Sequence, residues 1–115
     1  MFSQSQVARG KVSYESACAS CHGIELVSID SEIPSLSALD FRLGWKGRTL
    51  SERMIKISTT MPPGGLARLG PNDYVDIIAY ILSRNGFVAG KQEMSADSAD
   101  LERYVVDLDG NNGGQ

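Results

Sequence analysis

Apolar residues recur at helical spacing in three stretches of this chain, and glycine and proline break the ground between them. Over residues 3–17, Val7, Gly10, Tyr14 and Ala17 fall on one stripe. Ser3 and Gln6 match the S-x-x-Q capping box that opens a helix. A second box, Thr49-Leu50-Ser51-Glu52, precedes Leu50, Met54 and Ile57 at i, i+4, i+7, which predicts a helix from Thr49 to about Thr60. Met61-Pro62-Pro63-Gly64-Gly65 cannot continue it. The strongest pattern lies at 71–85. Pro71 suits a first helical position, and Asp73 and Asp76 complement the positive end of the helix dipole. Two apolar faces, Val75/Ile78/Leu82 and Tyr74/Ile77/Ile81, predict heavy burial. Arg84 occupies the last turn, and Asn85-Gly86 is the stop.

The remaining stretches lack such periodicity. Residues 23–43 read as irregular, with Pro34 in the middle, and are long for a structureless loop. A bound cofactor would explain that length by giving loop side chains a surface to pack on. Ile29, Ile33, Leu36, Leu39, Phe41 and Leu43 are the candidates for such a wall. After Gly90 the composition turns acidic, with six acids and two bases over 91–115. A short helix over 97–107 is expected there, anchored by Leu101, Tyr104, Val105 and Leu108, with a flexible tail from Gly110. The chain thus divides into a main domain, 1–90, and an acidic extension, 91–115. Gly10 inside a helix costs about 1 kcal/mol against alanine, so close approach of another helix is expected there; a merely tolerated glycine is the alternative.

With 115 residues and 42% apolar content, one domain with a modest core is expected. The net charge of −3, with no basic–aromatic interleaving, points away from nucleic acid. No apolar run approaches membrane-spanning length, and no charged-then-apolar leader follows Met1.

The chemistry is concentrated in Cys18-Ala19-Ser20-Cys21-His22, a C-x-x-C-H run. This is the attachment pattern of c-type haem. Two thiols at this spacing add to the two vinyl groups along one porphyrin edge, and the next histidine supplies a nitrogen to the iron. A redox dithiol, half a zinc site or a small disulfide could share the C-x-x-C part. Zinc needs four ligands, and the chain has two cysteines and one histidine. A thioredoxin-like dithiol would follow a strand in a βαβ unit, which the pattern does not contain. The haem motif implies export, so a periplasmic or otherwise exported protein is expected, with its leader removed or the chain excised from a larger one.

Helix, C-x-x-C-H, loops, Met-Pro and a closing helix, in that order, resemble a class I cytochrome c. The resemblance covers about residues 7–90. Cys18, Cys21 and His22 match the attachment motif; Gly10 and Tyr14 match the glycine and aromatic of the first helix; Tyr80 matches their partner on the last. Pro34-Ser35-Leu36 is similar to the segment whose proline carbonyl accepts the N–H of the iron-bound histidine, and Met61-Pro62 matches the distal ligand segment. The stretch from Ile78 to Phe87 is similar to cytochrome c domains and subunits of quinoprotein (PQQ) dehydrogenases. The resemblance implies an all-α fold of about three to five helices around one covalent haem. It also implies electron transfer from a dehydrogenase towards a cytochrome or oxidase acceptor.

Within that frame, His22 and Met61 are the expected iron ligands. Of the four methionines, Met61 is held extended by the prolines that follow, whereas Met54 reads as core and Met94 lies beyond the match. Pro34 is the expected carbonyl acceptor for the other ring nitrogen of His22, with simple loop punctuation as the alternative. Trp45 and Arg48, with Lys46 beside them, could donate to haem propionates; Trp45 as plain core is the alternative. Residues 42–56 carry five bases against one acid, Glu52, either a docking surface or a solvated face. In the docking case the acidic stretch from Glu93 to Asp109 would point elsewhere. No catalytic constellation is present, so a conductor is expected rather than an enzyme. A haem protein with an open sixth site, a gas or peroxide sensor or peroxidase, is the alternative, and Met61-Pro62 favours the first.

Overall fold

The computed structural model describes residues 2–23, 25–27, 36, 38–60 and 69–106. Within them lie six helices: α1 Gln4–Ala17, α2 Ala19–His22, α3 Ala38–Trp45, α4 Leu50–Thr60, α5 Pro71–Arg84 and α6 Ser98–Leu101. The only β pairing among the described residues is two isolated bridges, Ser3 with Gly90 and Thr49 with Val105. The fold is the small all-α one expected.

Both capping boxes form. The Ser3 hydroxyl accepts from the Gln6 N–H at 3.1 Å while the Gln6 carboxamide oxygen accepts from the Ser3 N–H at 3.3 Å. At α4, Glu52 N–H donates to Thr49 Oγ1 and Thr49 N–H donates to Glu52 Oε1, at 3.1 and 3.0 Å. Each box satisfies donors that a helix start leaves without partners. At α5 the Asp73 carboxylate accepts from the Gly70 N–H at 2.9 Å, on the end of the helix that favours negative charge.

α5 is the centre of the molecule, buried continuously from Tyr74 to Leu82. α1 crosses it at Gly10. A Cβ there would lie 1.8 Å from the Asp76 carbonyl oxygen and 3.0 Å from Tyr80 Cβ. Only a residue without a side chain admits this approach. The rings of Tyr14 and Tyr80 meet one turn on, with centroids 5.4 Å apart. Arg9 closes the crossing by donating to both oxygens of the buried Asp76 carboxylate.

Two stretches differ from the sequence expectation. Residues 23–43 are not irregular throughout, because α3 begins at Ala38. Phe41 and Trp45, four apart, present one aromatic face; their rings stack at 5.0 Å, and Phe87 meets Phe41 at 6.5 Å. Leu43 points to solvent at 72% exposure, so it is not part of a wall. The helix expected over 97–107 is only Ser98–Leu101: Asp97 caps it, and Leu101 is buried while Val105 is exposed. The segment after Gly90 adds Met94, Leu101 and Val106 to the one core. Gln6 holds Met94 through two hydrogen bonds, and Tyr104–Val106 pairs with Gly47–Leu50 through three backbone bonds. Tyr104–Val106 therefore runs beside the basic stretch, whereas Glu93 lies against Arg9 on α1.

No helix among the described residues is long and apolar enough to cross a membrane.

Candidate functional site

The C-x-x-C-H run sits where α1 stops. Cys18 donates its N–H to Tyr14 and ends α1, and its carbonyl accepts from the His22 N–H at 3.0 Å. Cys18 and His22 are therefore one helical turn apart and share a face of α2. His22 is buried, with 7% of its surface exposed, and Cys18 is half-buried against the core. Cys21 lies on the same turn; its side chain is outside the described residues.

Gly23 turns the chain sharply after the histidine. Its φ is +90°, and a Cβ would lie 2.1 Å from the Val27 carbonyl oxygen. Its carbonyl accepts from the Tyr14 hydroxyl at 2.7 Å and from the Leu26 N–H at 3.1 Å. Burial, and then the neighbouring Cys18 thiol, push the Tyr14 phenol well above its usual range, so it stays a donor. The α1–α5 crossing thus fixes the residue directly after His22.

A second set of bonds ties the following chain to the end of α5. Leu26 is fully buried with φ +65°, a left-handed conformation that costs a bulky residue roughly 1–3 kcal/mol and is held here by burial. Its carbonyl accepts from the Leu36 N–H at 2.8 Å. Asn85 then donates to the carbonyls of Leu36 and Ile81, at 2.9 and 2.8 Å. Arg84 donates to the Tyr80 hydroxyl at 3.0 Å and to Glu25 at 2.7 Å, holding the Glu25 carboxyl below its usual range.

The donor set suits a haem better than a bare ion. It offers a thiol and a buried imidazole one turn apart beside an apolar core. Among the described residues no three His, Cys, Asp or Glu side chains gather to hold a metal ion. Of the other expected site residues, Pro34 and Met61 lie outside the described set, as do Ile29 and Ile33. Trp45 is 3% exposed, stacked on Phe41. Arg48 is exposed and pairs with Glu52 at 3.7 Å. Sequence reading missed the roles of Asn85, read only as a stop, and of Arg53, whose guanidinium lies 5.2 Å from the Trp45 ring centre. The i, i+8 spacing of Trp45 and Arg53 across a Gly-containing turn carries no general signal.

A family model described as "Cytochrome C oxidase, cbb3-type, subunit III" matches residues 5–81. That span takes in Cys18, Cys21, His22, Pro34, Trp45, Arg48 and Met61. No curated protein and no solved structure matches the chain significantly.

Proposed function

This chain belongs to the cytochrome c oxidase, cbb3-type, subunit III family, a monohaem class I c-type cytochrome with covalent haem c, and on that premise we propose that it relays electrons from a dehydrogenase to a respiratory acceptor. The observation that carries the proposal is the buried His22 one turn after Cys18, on a segment locked by Tyr14.

When bound, haem supplies an iron that changes by one electron between ferrous and ferric. Cys18 and Cys21 hold it through thioether bonds. His22 would supply a nitrogen ligand to the iron and Met61 a thioether sulfur, a ligand pair that raises the potential relative to two histidines. Pro34 would offer its carbonyl to the ring N–H of His22 that does not face the iron, and so fix the imidazole's orientation. Trp45 can turn its indole N–H to a propionate. With both residues as ligands the iron would have no open position for oxygen, as suits a carrier. The donor is a dehydrogenase, PQQ-dependent on the likeness of residues 78–87, and the acceptor is a cytochrome or oxidase. The thioether motif implies export, so the protein works in the periplasm or is otherwise exported.

Acid–acetone extraction followed by pyridine haemochrome analysis should leave one haem on each chain. A redox titration should then give a single reversible one-electron couple with a low-spin spectrum. Haem that extracts freely, or a high-spin iron that binds oxygen, would refute the proposal.

A further inference from the structure

The end of α5 is fastened to the chain that follows His22 by a side chain whose local role is only to stop a helix. The Asn85 N–H turns to the Leu82 carbonyl at 3.0 Å. The Ile81 carbonyl, the partner of that N–H in a regular helix, accepts instead from the Asn85 carboxamide at 2.8 Å. The other carboxamide hydrogen goes across to the Leu36 carbonyl at 2.9 Å. Both donors of the group are thereby used, one on the helix and one on the loop. The stop does not need the second bond. Gly86, with φ +97°, and the Phe87 N–H on the Leu82 carbonyl already end the helix.

From Leu36 a path of bonds runs back to His22. The Leu36 N–H donates to the Leu26 carbonyl at 2.8 Å, and the Leu26 N–H donates to the carbonyl of Gly23, the residue directly after His22, at 3.1 Å. Leu26 stands in this path fully buried with φ +65°, a conformation that persists only where its surroundings over-determine it. The bond from Leu36 is one of those constraints, and Asn85 holds Leu36. Pro34, whose carbonyl serves His22 in the reading above, lies two residues before Leu36, a reach of at most about 7 Å. One end of the path thus abuts the ligand and the other lies beside its acceptor. We propose that Asn85 is a positioning residue for the iron: by tethering Leu36 to α5 it sets the strength of the hydrogen bond on the His22 ring, and through it the reduction potential. This role rests on the assignment of His22 as ligand and Pro34 as its acceptor.

A carbonyl on the far ring N–H makes an imidazole the stronger donor, which favours ferric iron and lowers the potential. Loosening that bond should raise it. The test is redox titration of the haem-loaded protein, together with proton NMR of its ferric form to time solvent exchange of the His22 ring N–H. Asn85→Ala should raise the potential and quicken that exchange about tenfold, as loss of one hydrogen bond allows. Met54→Ala, which loses packing on α4 and keeps the tether, should leave both at their wild-type values. If Asn85→Ala fails to accumulate with haem, Asn85→Ser takes its place. Its hydroxyl can still reach the Ile81 carbonyl, one turn back, and is too short for Leu36. The same rise and the same quickening are expected of it. A variant in which either quantity stays at the wild-type value, whatever its melting temperature, would overturn the proposal. So would equal shifts in Met54→Ala, since any loosening of the fold would then suffice. A wild-type ring N–H that exchanges freely would overturn the Pro34 assignment and the proposal with it. A protected wild-type N–H with unmoved variants would overturn the role of Asn85 alone.

Discussion

Gly10 stands so close to Asp76 that a Cβ on it would lie 1.8 Å from the Asp76 carbonyl oxygen. The obstacle is backbone, which cannot swing aside as a flexible side chain can. The crossing must open, and with it the Tyr14–Tyr80 contact and the Tyr14 hydrogen bond to Gly23. Gly10→Val should destabilise the protein by roughly 1–3 kcal/mol or more, as overpacking does. Gly86→Ala is the comparison. Gly86 has φ +97° but nothing within 4 Å, so its cost is backbone strain of about 1–2 kcal/mol. Calorimetry should find the lower melting temperature at Gly10→Val; the reverse order would contradict the crossing.

The features legible in the sequence are those that local rules govern. Ser3 with Gln6 and Thr49 with Glu52 are three apart, so their capping boxes can be read without knowing the fold. Gly10 was legible through its cost, since a glycine inside an amphipathic stripe needs a reason. The rest depends on partners far along the chain. Gln6 caps α1 and also holds Met94, 88 residues away, which no local pattern announces. α3 was missed because its two aromatics span a single turn and its last residues include Gly44. Arg48 looked like the better anion partner from its neighbours, yet Glu52, one helical turn on, takes it, while Arg53 folds back onto Trp45.

Asn85 should matter more than a helix stop requires. Its carboxamide ties the Leu36 carbonyl to that of Ile81. Asn85→Ala removes both bonds and should cost about 1–3 kcal/mol, the range for lost hydrogen bonds with buried partners. The loss should be local. Hydrogen exchange at the Leu36 amide, which donates to Leu26, should quicken well before exchange at the Met94 amide. Unchanged protection at Leu36 would show that Leu26 and Leu36 stay together without the tether.

Two methionines lie close in sequence, and the carrier reading needs only Met61 on the iron. Met54 is half-buried on α4 and packs against the core. Met54→Ala should therefore cost stability, about 1–2 kcal/mol for a half-buried side chain. It should leave the long-wavelength band of methionine bound to ferric haem intact. Met61→Ala should abolish that band, lower the potential and give a high-spin or exogenously ligated iron. Loss of the band in Met54→Ala and its survival in Met61→Ala would reverse the assignment and reopen the sensor alternative.

The last prediction concerns the partner. Of the basic stretch, Arg42, Lys46, Arg48 and Lys56 are exposed, Arg48 beside Glu52, whereas Arg53 turns inward. The surface charge available for docking is therefore smaller than the sequence suggests. In the C-terminal segment, Asp100 is paired with Arg103 and Glu93 with Arg9 on α1. In sequence the stretch lies between the Cys18–His22 and Met61 segments, which would place it near an edge of the haem, where a donor or acceptor comes nearest the iron. An acidic redox partner should be steered there. Steering by exposed charges weakens with salt, as the screening length shrinks from about 10 Å at 0.1 M to about 3 Å at 1 M. Electron-transfer rates with the physiological dehydrogenase should accordingly fall as ionic strength rises. Lys46→Glu and Lys56→Glu should each slow transfer at low salt and converge on the wild-type rate at high salt. Both should leave the potential nearly unchanged, since neither side chain is buried. Rates independent of salt and of both reversals would point to an apolar contact, or to a domain tethered to its dehydrogenase, where a linker's effective concentration replaces steering.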